Sequence, residues 1–257
     1  MREADKQSAK HIAVKTKGSG GEMNDNPQSV SVRFFAGGGI SNVLQELCPR
    51  FERETGHRLV ITYDGTPALV RRFTANEPFD LVLIPQQAYF DPAAKARLAP
   101  APQIDIARVG VGLGVRAGAP IPDISTPEAL KATLLAAKSI TMVPESANGA
   151  HVLRVFEKLG IADAMRAKML VQSDPLALVP ALARGEAEIG LYVTNLLLAP
   201  GLSLVGELPA ALNTHLTFTA GLSREAAQPD AAKALIAFLS TPESAAVIKA
   251  KGMQPLV

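Results

Sequence analysis

The chain has 257 residues, 47% of them hydrophobic, and a formal charge of +2, so it can bury a sizeable core as one large domain or two small ones. Near-balanced charge, no Trp, 5% aromatic residues and no Lys/Arg cluster interleaved with aromatics argue against a nucleic-acid partner. One cysteine excludes an internal disulfide, Cys48 and four scattered histidines give no zinc spacing, and no apolar run is long enough to span a membrane, so neither metal nor cofactor is expected.

Residues 1–29 are polar and lysine-bearing, carry Gly-Ser-Gly-Gly at 18–21, and have no apolar core of a secretory signal. They read as a disordered leader, appended or standing in place of whatever preceded Val30. Val30–Ala36 is then an apolar run of strand type, stopped by Gly37, Gly38 and Gly39. Behind the glycines, Ile40, Val43, Leu44, Leu47 and Phe51 fall at the spacing of an apolar stripe on one helix face. The unit reads as strand, glycine loop, helix. The glycines let a ligand approach the backbone, and the first turn of the helix leaves N–H groups free for an anion; a tight turn with glycines for packing accounts for the same residues. Cys48 reads as a small buried residue, and Pro49 inside the helix predicts a kink.

A β-type run at 58–63, an Asp64-Gly65-Thr66-Pro67 turn, a helix over 68–75, a nearly continuous apolar strand at 79–85 and a helix over 89–98 follow. Continuous apolar strands separated by helices predict α/β architecture with a parallel sheet covered on both faces. At 107–116 the pattern becomes a strand with alternating glycines, and a similar passage recurs at 216–222. Between them lie a helix capped by the Ser125 to Glu128 run, a strand at 139–143, a helix over 150–159, a helix over 176–184 and strands at 168–171, 189–192 and 202–205. Two helices, 229–239 and 242–251, close the chain.

The middle segment repeats the opening device, since a strand leads through a loop ending at Gly149 into a helix striped by Val152, Val155, Phe156 and Leu159. Two such units joined by two strand passages predict two lobes with a cleft between them: 30–108 plus 221–257, and 109–220. Ligands of open parallel sheets sit beyond the carboxyl ends of the strands, so both loops face that cleft, and two helix N-termini aimed at one point suit a small anion. The candidate ligand-binding residues are Gly38, Gly39, Ser41, Thr66, Ser146, Asn148, Gly149, His151, Tyr192 and Thr194. Each has a structural alternative: Thr66 in a strand-ending turn, Ser146 or Asn148 as a helix cap, His151 as a half-buried histidine. Arg71 and Arg72 can grip a carboxylate or form a solvated face. No nucleophile triad, P-loop or dinucleotide fingerprint is found.

With these residues in place, the chain resembles the molybdate-binding branch of the periplasmic solute-binding superfamily, and more closely a group of bacterial substrate-binding-domain proteins that includes aconitate isomerase. The matching stretches include PRFERETGHRL, NEPFDLVLI, RVGVGLGVRAGAPIPDISTPEALKATLLAAKSI, RGEAEIG and AAKALIAFLSTPESAAVIKAKGMQP, spread over Val30 to Leu256. The resemblance implies a two-lobed type II binding-protein fold with two crossover hinge strands. It also implies a periplasmic location, and a monomeric receptor that hands a small anion to the membrane subunits of an ABC importer. An isomerase acting on a small tricarboxylate, with His151 as base, is the enzymatic alternative. Molybdate binders usually place a serine where this chain has Gly39, and commonly carry a tyrosine near Tyr192. The hydroxyl missing at Gly39 widens the expected site, and His151, Arg71 and Arg72 offer charge, which together favour a small carboxylate over molybdate.

Overall fold

The computed structural model describes residues 29–100, 103–174 and 176–257, so the leader expected over 1–29 lies, Ser29 apart, outside the described residues. Strand β1 (Ser31–Gly37) passes through a 3-10 turn at Gly38–Ile40 into α1 (Ser41–Thr55). Next come β2 (Arg58–Asp64), α2 (Thr66–Thr74) and β3 (Leu81–Pro85). A second 3-10 turn (Gln86–Phe90) and α3 (Pro92–Arg97) lead to the long β4 (Ile104–Arg116). The middle of the chain comprises α4 (Pro127–Ala136), β5 (Ile140–Met142), α5 (Ala147–Lys158), α6 (Ala162–Arg166), β6 (Met169–Val171) and α7 (Leu178–Ala183). Then follow β7 (Ile189–Val193), α8 (Thr194–Leu197), β8 (Leu202–Glu207), β9 (His215–Leu222), α9 (Pro229–Leu239), α10 (Pro242–Ala250) and β10 (Gln254–Pro255).

Two lobes share β4. Its first half pairs with β9, which pairs antiparallel with β3; β3, β1 and β2 then run parallel. Its second half pairs antiparallel with β7 and β8, and β7, β5 and β6 complete a parallel set. The exchange of partners falls between Gly110, opposite His215, and Val111, opposite Val193. The alternating glycines of β4 permit close approach there. A Cβ at Gly112 would lie 2.5 Å from the Gly206 carbonyl oxygen and 2.7 Å from Cγ2 of Thr194, and one at Gly114 would lie 2.9 Å from Cδ2 of Leu197. So α8 and the end of β8 sit directly on the strand that joins the lobes.

Helices α1, α9 and α10 cover one face of the first sheet, and α2 and α3 cover the other, where Phe35, Phe73 and Phe79 pack as an aromatic cluster. The larger apolar cluster continues from β1, α1 and β9 into Tyr192, Val193, Leu196 and Leu197, so the lobes meet through apolar side chains. Buried Asp80 ties the first lobe together by accepting from the Arg33 backbone (2.8 Å), the Arg33 guanidinium (3.0 Å) and the Ala227 N–H (2.7 Å). These partners hold its carboxyl below the usual range against the opposing effect of burial.

The helix expected over 89–98 breaks at Asp91, whose side chain accepts from the Ala93 N–H (2.8 Å) and starts α3 with Pro92 as its first residue; a residue before proline is steered out of helical geometry. Helix α1 runs unbroken through Pro49, which sits on its exposed side. From Phe218 to Leu222, β9 pairs with β3, so the last residues of the expected second lobe, 218–220, lie beside the first sheet.

Candidate functional site

A small cavity lies where the carboxyl ends of β1, β2 and β7 meet the start of α5. It is bounded by Gly37 to Gly39, Asp64 to Thr66, Ser146 to Asn148 and Tyr192, and floored by Pro85, Val193, Leu216 and Phe218. Each polar segment arises in the same way: an apolar strand ends, the chain turns, and a helix starts at the cleft. At the glycine loop and at Gly65 no side chain caps the helix start. The first-turn N–H groups other than that of Ser41, which donates to the Gly38 carbonyl, and Pro67, which has none, thus meet no side-chain acceptor and carry the partial positive charge of the helix end. At α5 the cap is internal, with Ser146 Oγ accepting from the Gly149 N–H at 3.0 Å.

Asn148 is the most informative residue. It is 3% exposed, and its side-chain oxygen lies 2.8 Å from Ser146 Oγ. Ser146 Oγ is also 2.7 Å from the Val143 carbonyl oxygen, so one hydroxyl proton is shared between two acceptors. The Nδ2 of Asn148 has no partner. A buried donor left unpaired costs about 1–3 kcal/mol. Thr66 and Tyr192 add hydroxyls to the lining. Burial raises the Tyr192 phenol far above its ordinary range, keeping it a neutral donor. The one carboxylate in the lining, Asp64, is already engaged, with one oxygen accepting from the Gly65 N–H (2.9 Å) and the other from Arg72 Nε (3.3 Å).

Of the ten candidate residues, Gly38, Gly39, Thr66, Ser146, Asn148 and Tyr192 come together in this lining. The other four serve elsewhere. Ser41 is buried at the start of α1, and Thr194 packs against Gly112 of β4. Gly149 lets α5 start against the end of β5, where an added Cβ would fall 1.9 Å from the Val143 carbonyl oxygen. His151 points to the chain linking the lobes: its Nε2 lies 2.8 Å from the Leu212 carbonyl oxygen, which can only accept, so Nε2 carries the proton. That corrects the expectation of His151 as a base facing the cleft.

The charge expected from Arg71 and Arg72 is also spent elsewhere. Arg72 pairs with Asp64 and Glu77, while Arg71 reaches Glu145 at 3.6 Å on the opposite lobe. The floor residues Phe218, Leu216, Pro85 and Val193 carry no polar signal in the sequence. The pairing of β9 beside β3 sets Phe218 opposite Pro85, and β4 sets Leu216 of β9 opposite Val109 and Val193 of β7 opposite Val111.

The model of the bacterial extracellular solute-binding protein family matches residues 32–254. The chain belongs to that family. This solute-binding protein is 30% identical over 234 residues to the aconitate isomerase of a Pseudomonas species, covering 88% of each chain. It is 22% identical to the molybdate-binding protein of Escherichia coli K12, covering 86% of this chain and 88% of that one. Among solved structures, the periplasmic molybdate-binding protein of Azotobacter vinelandii superposes with a TM-score of 0.73 at 16% identity, over 86% of this chain and 98% of that chain. The fold is therefore the two-lobed one of periplasmic binding proteins.

Proposed function

We propose that this protein is the periplasmic receptor of an ABC importer, capturing a small anion between its lobes as a monomer and presenting it to the membrane subunits. The observation that carries the reading is the unpartnered Nδ2 of Asn148, a buried residue in the lining of a cavity onto which the starts of α1, α2 and α5 converge. Donors without a net cation suit a strongly solvated anion, because fixed N–H dipoles replace its water shell without bringing in a counter-charge that must itself be desolvated. The lobes turn about Gly110 and the 208–214 link, and ligand contacts on both sides of the cleft favour the closed arrangement. Kinship to a molybdate-binding protein supports an oxyanion ligand.

The test is thermal unfolding against a panel of oxyanions, mono-, di- and tricarboxylates, amino acids and sugars. A ligand at 100 times its dissociation constant adds about 2.7 kcal/mol to stability. Stabilisation by anions alone fits the reading; stabilisation by sugars or zwitterions alone refutes it.

The second reading is an isomerase, and identity of 30% to aconitate isomerase is the observation in its favour. Moving a double bond needs a base at an acidic C–H and donors for the enolate. The cavity supplies the donors, whereas its titratable side chains are an engaged Asp64 and a neutral Tyr192. Incubation with cis-aconitate, followed by chromatography for the trans isomer, separates the two; turnover establishes the enzyme.

A further inference from the structure

The depth of the cavity is set by two positions remote in sequence. A Cβ at Gly39 would stand 3.0 Å from Cζ of Phe218, and one at Gly37 would stand 3.0 Å from Cε1 of the same ring and 3.3 Å from Cδ of Pro85. Phe218 is 1% exposed, held on β9 between β3 and β4. The space a side chain at 37 or 39 would occupy is thus filled from β9, which lies beyond β3 in the same sheet. The room that the sequence suggested at Gly39 is taken by the Phe218 ring.

Resting on the anion reading, we infer that Phe218 is the residue that sets ligand size. Its ring takes the place of a side chain at position 39 and restricts the closed site to compact anions, a tetrahedral oxyanion or a single carboxylate head. A ring has few rotamers and this one is buried among apolar side chains, so it cannot fold away as a longer flexible chain could. A di- or tricarboxylate must either displace it or hold the lobes apart. Closed interiors yield little to such demands, and a change of one methylene in an apolar pocket shifts discrimination by roughly 10- to 200-fold.

The experiment measures dissociation constants for sulfate, phosphate, molybdate, acetate, malonate and citrate on the unaltered protein, Phe218→Ala, Phe218→Leu, and Phe218→Ala combined with Gly39→Ser. The expected result is that the unaltered protein prefers the compact anions and that Phe218→Ala improves malonate or citrate relative to them by at least about tenfold. Adding Gly39→Ser should take much of that gain away by refilling the space. Should Phe218→Ala fail to fold, Phe218→Leu is judged by the same ratio. An unchanged ranking across the variants, or equal binding of all sizes by the unaltered protein, overturns the size role and leaves the anion receptor standing. Binding of no anion by any of the proteins removes the anion reading, and this inference with it.

Discussion

The side-chain amide of Asn195 donates to the carbonyl oxygen of Gly39 at 2.9 Å, joining the first residues of α8 in one lobe to the glycine loop of the other. The same Nδ2 lies 2.8 Å from Asn42 Oδ1, and Asn42 returns a bond to the Asn195 carbonyl oxygen at 3.2 Å. Asn195 is 2% exposed. Fixing the Gly39 carbonyl also fixes the tilt of a peptide unit at the helix start, and so the aim of the N–H groups around it.

Asn195→Ala is therefore expected to lower stability by about 1–3 kcal/mol, two neutral hydrogen bonds at roughly 0.5–1.5 kcal/mol each. It should weaken anion binding as well, because the loop is no longer held from across the cleft. Urea unfolding at constant slope checks the first effect and calorimetry the second. An unchanged urea midpoint would show that the Asn195–Gly39 bond contributes nothing net.

Asn148 allows a sharper test, because its two side-chain atoms do different things. Asn148→Asp keeps an oxygen for Ser146 Oγ and replaces the unpartnered donor with an acceptor that carries charge. Anion affinity should fall by at least about tenfold, the loss of a hydrogen bond to a charged group at roughly 1.5–3 kcal/mol. Titration calorimetry reads this directly. Retained affinity would mean that Nδ2 does not meet the ligand.

Much of the first lobe could be read from the chain, because its strands are continuous apolar runs and its helices carry apolar stripes. The glycine loop, the Thr66 turn and the Ser146 to Asn148 loop all stand at the cavity for the reason the sequence suggested: strand ends of a parallel sheet point one way. What could not be read is set by pairing across the sheet. Nothing around Phe218 marks it as a floor, since its role depends on β9 lying beside β3 and on two glycines leaving it space. The same limit misplaced His151 and Thr194. A helix start near the cleft says which turn is close, whereas the direction of each side chain depends on the 208–214 link and on β4 packing against it.

The cleft mouth contains one contact that should matter and one that should matter little. A Cβ on Gly65 would lie 2.5 Å from the Glu145 carbonyl oxygen, backbone against backbone, so Gly65→Ala must push the lobes apart. The liganded protein should then keep a larger radius of gyration by small-angle scattering, with weaker binding. The neighbouring Arg71–Glu145 ion pair is largely exposed on both sides, and such pairs are worth about 0–1 kcal/mol. Glu145→Ala should change affinity by less than about fivefold, an effect that fades in high salt. A larger loss from Glu145→Ala than from Gly65→Ala would reverse this ranking of charge and shape.

The last prediction follows from His151, which is 9% exposed. Burial lowers its pKa below 6.5, the nearby charges of Arg154 and Lys158 act in the same direction, and the bond to the Leu212 carbonyl opposes them. With the folded value depressed, the unfolded chain takes up a proton at this histidine before the folded one does. Stability from this group is therefore complete above about pH 6.5 and is lost as pH falls through the folded value. The bond to Leu212 lies on the link between the lobes, so acid acts where the 208–214 segment is held against α5. His151→Gln, which can still donate to Leu212, should flatten the dependence of the melting temperature on pH between neutrality and pH 5. Retaining the donor keeps the variant near its parent at pH 8. If both proteins lose stability in parallel as the pH falls, other groups carry the acid response and His151 is only a packing residue.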